Sequence, residues 1–210
     1  VLQRHPYVFP IRSYHEADVD TFATIVSNFA NLELVGEGMA LQVVVKPAHK
    51  RAKEHVSRAI YQLKKGAKLS TLLETPLLTA PAFLQRIGDL LPLPKSASGK
   101  NGQREEKMRE PVVVDEEAVK LLNQKVAKPL FEVNVRLIAA AVSPFAADNL
   151  LEGLAGSFRQ FGAPLHNELR VVKARNPRDL IFRYTMRQFD AGKAMVLSAD
   201  ELASVFHLPT

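Results

Sequence analysis

The residues whose type and spacing come nearest to doing chemistry are the cations between Lys50 and Lys68. Lys50, Arg51, Lys53, Arg58, Lys64 and Lys65 surround an apolar stripe of Val56, Ala59, Ile60 and Leu63. That spacing predicts an amphipathic helix with a basic outer surface. Among them Lys50, Arg51, Arg58, Lys64 and Lys65 are the candidate anion-binding residues, for the phosphates of a nucleic acid or of a lipid headgroup. The plainer reading of the same face, and the one favoured, is a solvated helix surface. Apart from Tyr61 no aromatic residue interleaves with the cations, so the stacking platform of single-strand binders is missing from this stretch.

Two strings imitate a phosphate-binding loop. Ser98-Gly99-Lys100 has Pro94 where the first glycine belongs. Ala191-Gly192-Lys193 has Arg187 at the equivalent position, and no Ser or Thr follows Lys193. The glycines of a P-loop let backbone amides wrap phosphate closely, and neither string supplies them. The six histidines form no metal-ligand spacing: His49 and His55 sit six apart, on different faces of a helix. The serines lack a G-x-S-x-G setting, and acid pairs such as Asp18/Asp20 and Glu116/Glu117 fall in first turns of helices, where the macrodipole accounts for them. The expectation is a non-catalytic chain with no cofactor, no metal and no small-molecule ligand.

The totals set the frame for these residues. At 210 residues with 47% hydrophobic and 24% charged, the composition is that of a globular protein long enough to bury a substantial core. There is no cysteine, which excludes disulfides and thiolate metal sites. No apolar run approaches the ~20 residues of a membrane span. A net charge of +6 is compatible with an anionic partner.

The elements that must position the cations follow from periodicity. Strands are predicted at Tyr7 to Tyr14, at Met39 to Lys46 (buried on both faces at its centre), at Phe131 to Ala141, at Glu168 to Lys173 and at Leu180 to Gln188, the last two joined by a turn at Asn176-Pro177. Helices are predicted at Ala17 to Leu32, Lys50 to Ala67, Asp115 to Lys128 and Phe145 to Phe161, with short ones between Leu69 and Leu93. Lys95 to Glu110 has almost nothing apolar to bury and is expected to be a mobile loop. Ser198 and Glu201 form an S-x-x-E capping box that opens a final helix. The fold class is α+β: a two-layer sandwich, helices on a mixed or antiparallel sheet, with a β-α-β order repeated from Val8 to Lys46 and from Phe131 to Lys173. The organisation is an N-terminal half over 1–94, a flexible loop over 95–112 and a C-terminal half over 113–210, the halves sharing one sheet or forming two subdomains.

Four strings in order carry a resemblance: Tyr7 to Tyr14 (YVFPIRSY), Gly36 to Pro47 (GEGMALQVVVKP), Lys125 to Arg136 (KVAKPLFEVNVR) and Leu197 to Pro209 (LSADELASVFHLP). Together they resemble the region ahead of the motor in the ATPases of bacterial conjugation and type IV secretion, hexameric DNA-translocating motors of the HerA and FtsK kind. The resemblance implies a piece of a longer protein, an accessory domain whose nucleotide-binding residues lie beyond Thr210. It implies contacts with other motor subunits or with the membrane channel, in the cytoplasm at the inner face of the membrane. A nucleic-acid-binding module using the basic helix is the alternative, and a free-standing scaffold protein a weaker one. Reading the parent gene onward from Thr210 tests this: a strand followed by G-x-x-x-x-G-K-[ST] within a few tens of residues is expected, and a stop codon or a continuation without that loop refutes the motor reading.

Overall fold

The computed structural model describes residues 1–5, 7–17, 20–32, 35–67, 72 and 115–207. The helices expected between Leu69 and Leu93, the loop expected from Lys95 to Glu110 and the Ser98-Gly99-Lys100 string lie outside these residues, save for Leu72. The described elements are β1 (Leu2–Gln3), α1 (Thr21–Val26), β2 (Gly38–Pro47), α2 (Lys50–Lys64), α3 (Glu116–Ala127), β3 (Leu130–Ala140), α4 (Pro144–Ser157), β4 (Leu169–Arg170), α5 (Pro177–Thr185), β5 (Met195–Ser198) and α6 (Ala199–Val205). The fold is α+β with antiparallel sheets.

Local chemistry starts each helix. Asp20, Asp115, Ser143, Asn176 and Ser198 all accept backbone amides of the first turn at their helices, and Pro144 and Pro177 stand just inside two of them. Each such cap is worth about 1 kcal/mol. The expected capping box forms: Ser198 N donates to Glu201 Oε2 at 2.6 Å, and Glu201 N donates to Ser198 Oγ at 3.4 Å.

Strands from both halves of the chain share the main sheet, in the order β2-β3-β5. β2 pairs with β3 from Gly38 opposite Ala140 to Pro47 opposite Phe131, and β5 pairs with β3 from Ser198 opposite Leu130 to Met195 opposite Val133. Alternation puts Val133, Val135 and Leu137 on one face of β3. There they pack with Phe22 and Ile25 of α1, Leu154 of α4, and Phe158 and Phe161 just after it. A second core joins Val56, Ala59, Ile60 and Leu63 of α2 to Ala118, Val119 and Leu122 of α3, closed by Val8 and Phe9.

Several sequence expectations need correction. Residues 7–13 form no strand. Their backbone groups bond to side chains and loops instead of to a ladder: Ile11 N to Glu201 Oε1 at 2.8 Å, Arg12 N to Phe161 O at 2.9 Å, and Pro10 O from Asn167 N at 2.6 Å. The β-α-β repeat beginning at Val8 therefore lacks its first strand. Leu180 to Gln188 lies mainly in helix α5, because Asn176-Pro177 is an N-cap followed by proline at N1 and not a hairpin turn. The Glu168 to Lys173 strand shrinks to Leu169–Arg170, paired with β1. The centre of β2 is half-buried, since α4 and α6 lie on β3 and leave β2 at the sheet edge. The helix expected over 17–32 is shorter, α1 passing at Ser27 into a 3-10 turn.

Lys125 on α3 ties the two cores together. Its side chain is fully buried and donates to Glu201 Oε1 at 3.0 Å, Val196 O at 3.0 Å and Phe9 O at 3.4 Å. Burial holds the Lys125 pKa below the ordinary lysine value, against the opposing pull of Glu201. Removing one partner strands a buried charge, so Lys125→Met alone is expected to cost about 3–5 kcal/mol, and Lys125→Met with Glu201→Gln distinctly less than the sum of the single changes. Urea denaturation of the four proteins measures the coupling; additive losses refute the pair's role.

Candidate functional site

Packing of α2 on α3 sends its cations outward. Ala52, Val56, Ala59, Ile60 and Leu63 are buried, while Lys50, Arg51, Lys64 and Lys65 are exposed and Arg58 is half-buried. None of these five cations makes an ion pair among the described residues. Lys65 Nζ sits 4.5 Å from the centroid of the Tyr61 ring. Glu54 is the one acid in the helix. His55, on the same helix, has its pKa lowered by burial and then by the neighbouring Arg58 charge. The structure thus keeps the sequence-predicted candidates together on the outward side of one helix.

A more defined site lies where sequence reasoning placed none. A groove of about 610 Å³ runs along the outer edge of β2, lined by Leu41, Val43, Tyr184, Arg187, Leu202 and Phe206 with Gln42 and Val45. α6 supplies one wall through Leu202, with Phe206 just beyond its end. The C-terminal turn of α5 supplies the other through Tyr184 and Thr185. No acidic side chain lines it.

The α5 wall is fixed from beneath the sheet. Arg136 of β3 points to the face opposite the apolar core and donates to Gln42 Oε1 at 2.7 Å, to Arg183 O at 3.1 Å and to Gln188 O. Gln42 Nε2 in turn donates to Tyr184 O at 3.0 Å. A cation and an amide therefore satisfy carbonyls at the C-terminal end of α5, where the helix dipole favours positive charge. Burial lowers the Arg136 pKa, opposed by Asp190. Asn134 completes the mount, accepting from Asp190 N at 2.6 Å and donating to Asp190 O at 3.0 Å.

Arg187 stands out within this wall. Its φ is +51°, in the left-handed region, and it closes α5 through Arg187 N to Tyr184 O at 3.1 Å and Gln188 N to Arg183 O at 2.9 Å. This is a Schellman motif with its left-handed position filled by arginine. The same motif ends α2, through Gly66 N to Leu63 O at 2.9 Å and Ala67 N to Gln62 O at 3.0 Å, and there the left-handed residue is glycine with φ +86°. A side chain at that position costs roughly 1–2 kcal/mol. The guanidinium of Arg187 pairs with no described residue, so no described side-chain partner offsets the strain.

The other sequence candidates serve local structure. Ala191-Gly192-Lys193 forms a 3-10 turn in which the Asp190 carboxylate accepts the Gly192 amide at 3.0 Å, the group a phosphate would need. His49 accepts from Arg51 N at the start of α2, and Tyr7 Oη bonds His55 Nδ1. His166 and His207 lie beside Glu16 and Asp20 at 3.3 and 3.2 Å. No cluster of three metal-binding side chains occurs among the described residues.

The groove escapes a sequence reading because the short apolar run from Leu180 to Gln188 reads as a strand. The signal that finds α5 is Asn176-Pro177-Arg178-Asp179 with Arg183 four residues after Asp179, an ion pair of 2.9 Å. Replacing Arg187 by glycine is expected to raise unfolding stability by about 1 kcal/mol, read from the urea midpoint at unchanged m-value. A loss of stability would show that the arginine is held for the fold.

The chain matches no curated protein and no solved structure. One family, described as Domain of unknown function (DUF8128), matches residues 2–210, which is nearly the whole chain. This antiparallel α+β domain with its groove along β2 belongs to DUF8128.

Proposed function

We propose that this chain is a non-catalytic assembly domain of a conjugation- or type IV secretion-type ATPase, contacting neighbouring subunits or a channel component. The observation that carries the reading is the outer edge of β2, long, uncharged from Gly38 to Val45 and flanked by Leu202 and Phe206 on one side and by Tyr184, Thr185 and Arg187 on the other. Sheet edges of this kind are commonly shortened, charged or covered unless something binds them. Exposed Ile181, Phe182 and Met186 on and just after α5 extend the apolar surface beside the groove. The link to secretion motors rests on the four sequence strings; the protein-contact role rests on this surface. No helix among the described residues is long and apolar enough to cross a membrane, and a position in the cytoplasm at the inner membrane face belongs to the same proposal.

The basic face of α2 supports a second reading, contact with DNA fed to the motor. Phosphate contact alone would give affinity without sequence preference and a steep salt dependence.

Two variants separate the readings in the parent protein. Val45→Lys puts a charge on the exposed end of the β2 edge, and the triple change Lys50→Glu, Arg58→Glu, Lys64→Glu reverses the α2 face. Assembly is expected to fail with Val45→Lys in sedimentation and to survive the triple change. The opposite result, with the log–log salt slope of duplex DNA binding falling by about 0.9 for each phosphate no longer neutralised, would establish the DNA reading instead.

A further inference from the structure

The backbone of β2 shows which groups its outer edge presents. Ala48 N donates to Leu130 O at 2.9 Å, continuing the register in which Pro47 faces Phe131. In an antiparallel pair the residues bonded to the neighbour alternate with residues whose N–H and C=O point away. With Ala48 bonded to β3, the even-numbered residues of β2 point inward. Met39, Leu41, Val43 and Val45 point outward. Pro47 falls in the same outward set, where its missing N–H costs no ladder bond. No described strand lies on that side.

We infer that the β2 groove binds an extended, acidic peptide segment of a protein partner, added to the sheet as a fourth strand on Met39, Leu41, Val43 and Val45. This rests on the protein-contact reading above and names its ligand. The outward amides and carbonyls supply a ladder, and the walls from α5 and α6 receive alternate side chains. Charge sets the partner's chemistry. The groove contains one charged side chain, Arg187, unpaired among the described residues, and no acid. Arg187 is kept at a backbone position where glycine would relieve strain, a cost that a carboxylate on the incoming strand accounts for. A second copy of the chain fits worse: edge-to-edge pairing about a two-fold axis sets Arg187 near its own mate, and each copy carries +6.

The test uses the full chain with two soluble heptapeptides, one alternating valine with glutamate and one alternating valine with lysine. Amide hydrogen exchange followed residue by residue by NMR is the readout. In the free protein the amides of Leu41, Val43 and Val45 are expected to exchange faster than those of Gln42 and Val44. Saturating glutamate peptide should slow those outward amides by about tenfold or more. The lysine peptide should bind more weakly. Arg187→Glu, which keeps the same strained backbone, should weaken the glutamate peptide about 2- to 5-fold and strengthen the lysine peptide. Arg187→Gly should also lose the preference for glutamate while leaving the fold intact, which a purely structural arginine would not do. Slow outward amides in the free protein, or no slowing with either peptide, overturn the proposal. Equal binding of the two peptides overturns its acidic character, and protection that rises with protein concentration alone identifies a second copy as the occupant. If the peptide fails while Val45→Lys still breaks assembly of the parent, the protein-contact reading stands and the extended-strand inference falls.

Discussion

The buried contact between Lys125 and Glu201 is the interaction on which the rest of the fold depends. One carboxylate accepts from the Lys125 ammonium, from the Ile11 amide and from the Ser198 amide. Those three donors come from α3, from the irregular N-terminal segment and from the junction of β5 with α6. The ammonium also bonds Phe9 O and Val196 O, so every strong group at the centre is met. Such a cluster is costly to bury and costlier to break. It joins four segments, the N-terminal stretch, α3, β5 and α6, at one point.

Around that point the two cores divide the work. The sheet core sits under β3, whose Val133, Val135 and Leu137 are covered by α1 and α4. The helical core of α2 and α3 is closed by Val8 and Phe9, held in place by the ion pair and by Asn167. The covering helices centre on β3 and β5, and among the described residues no strand joins the outer edge of β2. The groove is thus a consequence of sheet order: a strand added at that edge would complete what the covering layer does not reach.

Two basic surfaces follow from different physics. On α2 the cations are spread along a solvated face, where screening at physiological salt limits each exposed charge to short range. In the groove a single arginine is fixed by a helix end mounted on Arg136 and Gln42, beside backbone groups ready to pair. On the proposed readings, the first surface would meet any anion alike. The second has direction, register and one charge at a set place, which is what selective recognition of a peptide requires.

How much of this is legible in the residues depends on the range of the forces involved. The sequence determined the features set by neighbours within a few residues: the caps at Asp115 and Ser198, the amphipathic stripe of α2, the strands β2 and β3 with their periods and β-branched content, and the α+β class. Leu180 to Gln188 is misread because a short apolar run has nearly the same pattern in a strand and in a helix, and the Asn176-Pro177 cap decides between them. Tyr7 to Tyr14 is misread because strand-like residues become a strand only if a ladder partner is near. Here Asn167, Lys125 and Glu201, all far along the chain, meet that segment's backbone. Those distant meetings, the burial of Lys125 and the place of β2 at the edge of the described sheet were decided only by the tertiary structure. Long-range pairing depends on which surfaces the packed chain leaves uncovered, and no local spacing of residues encodes that.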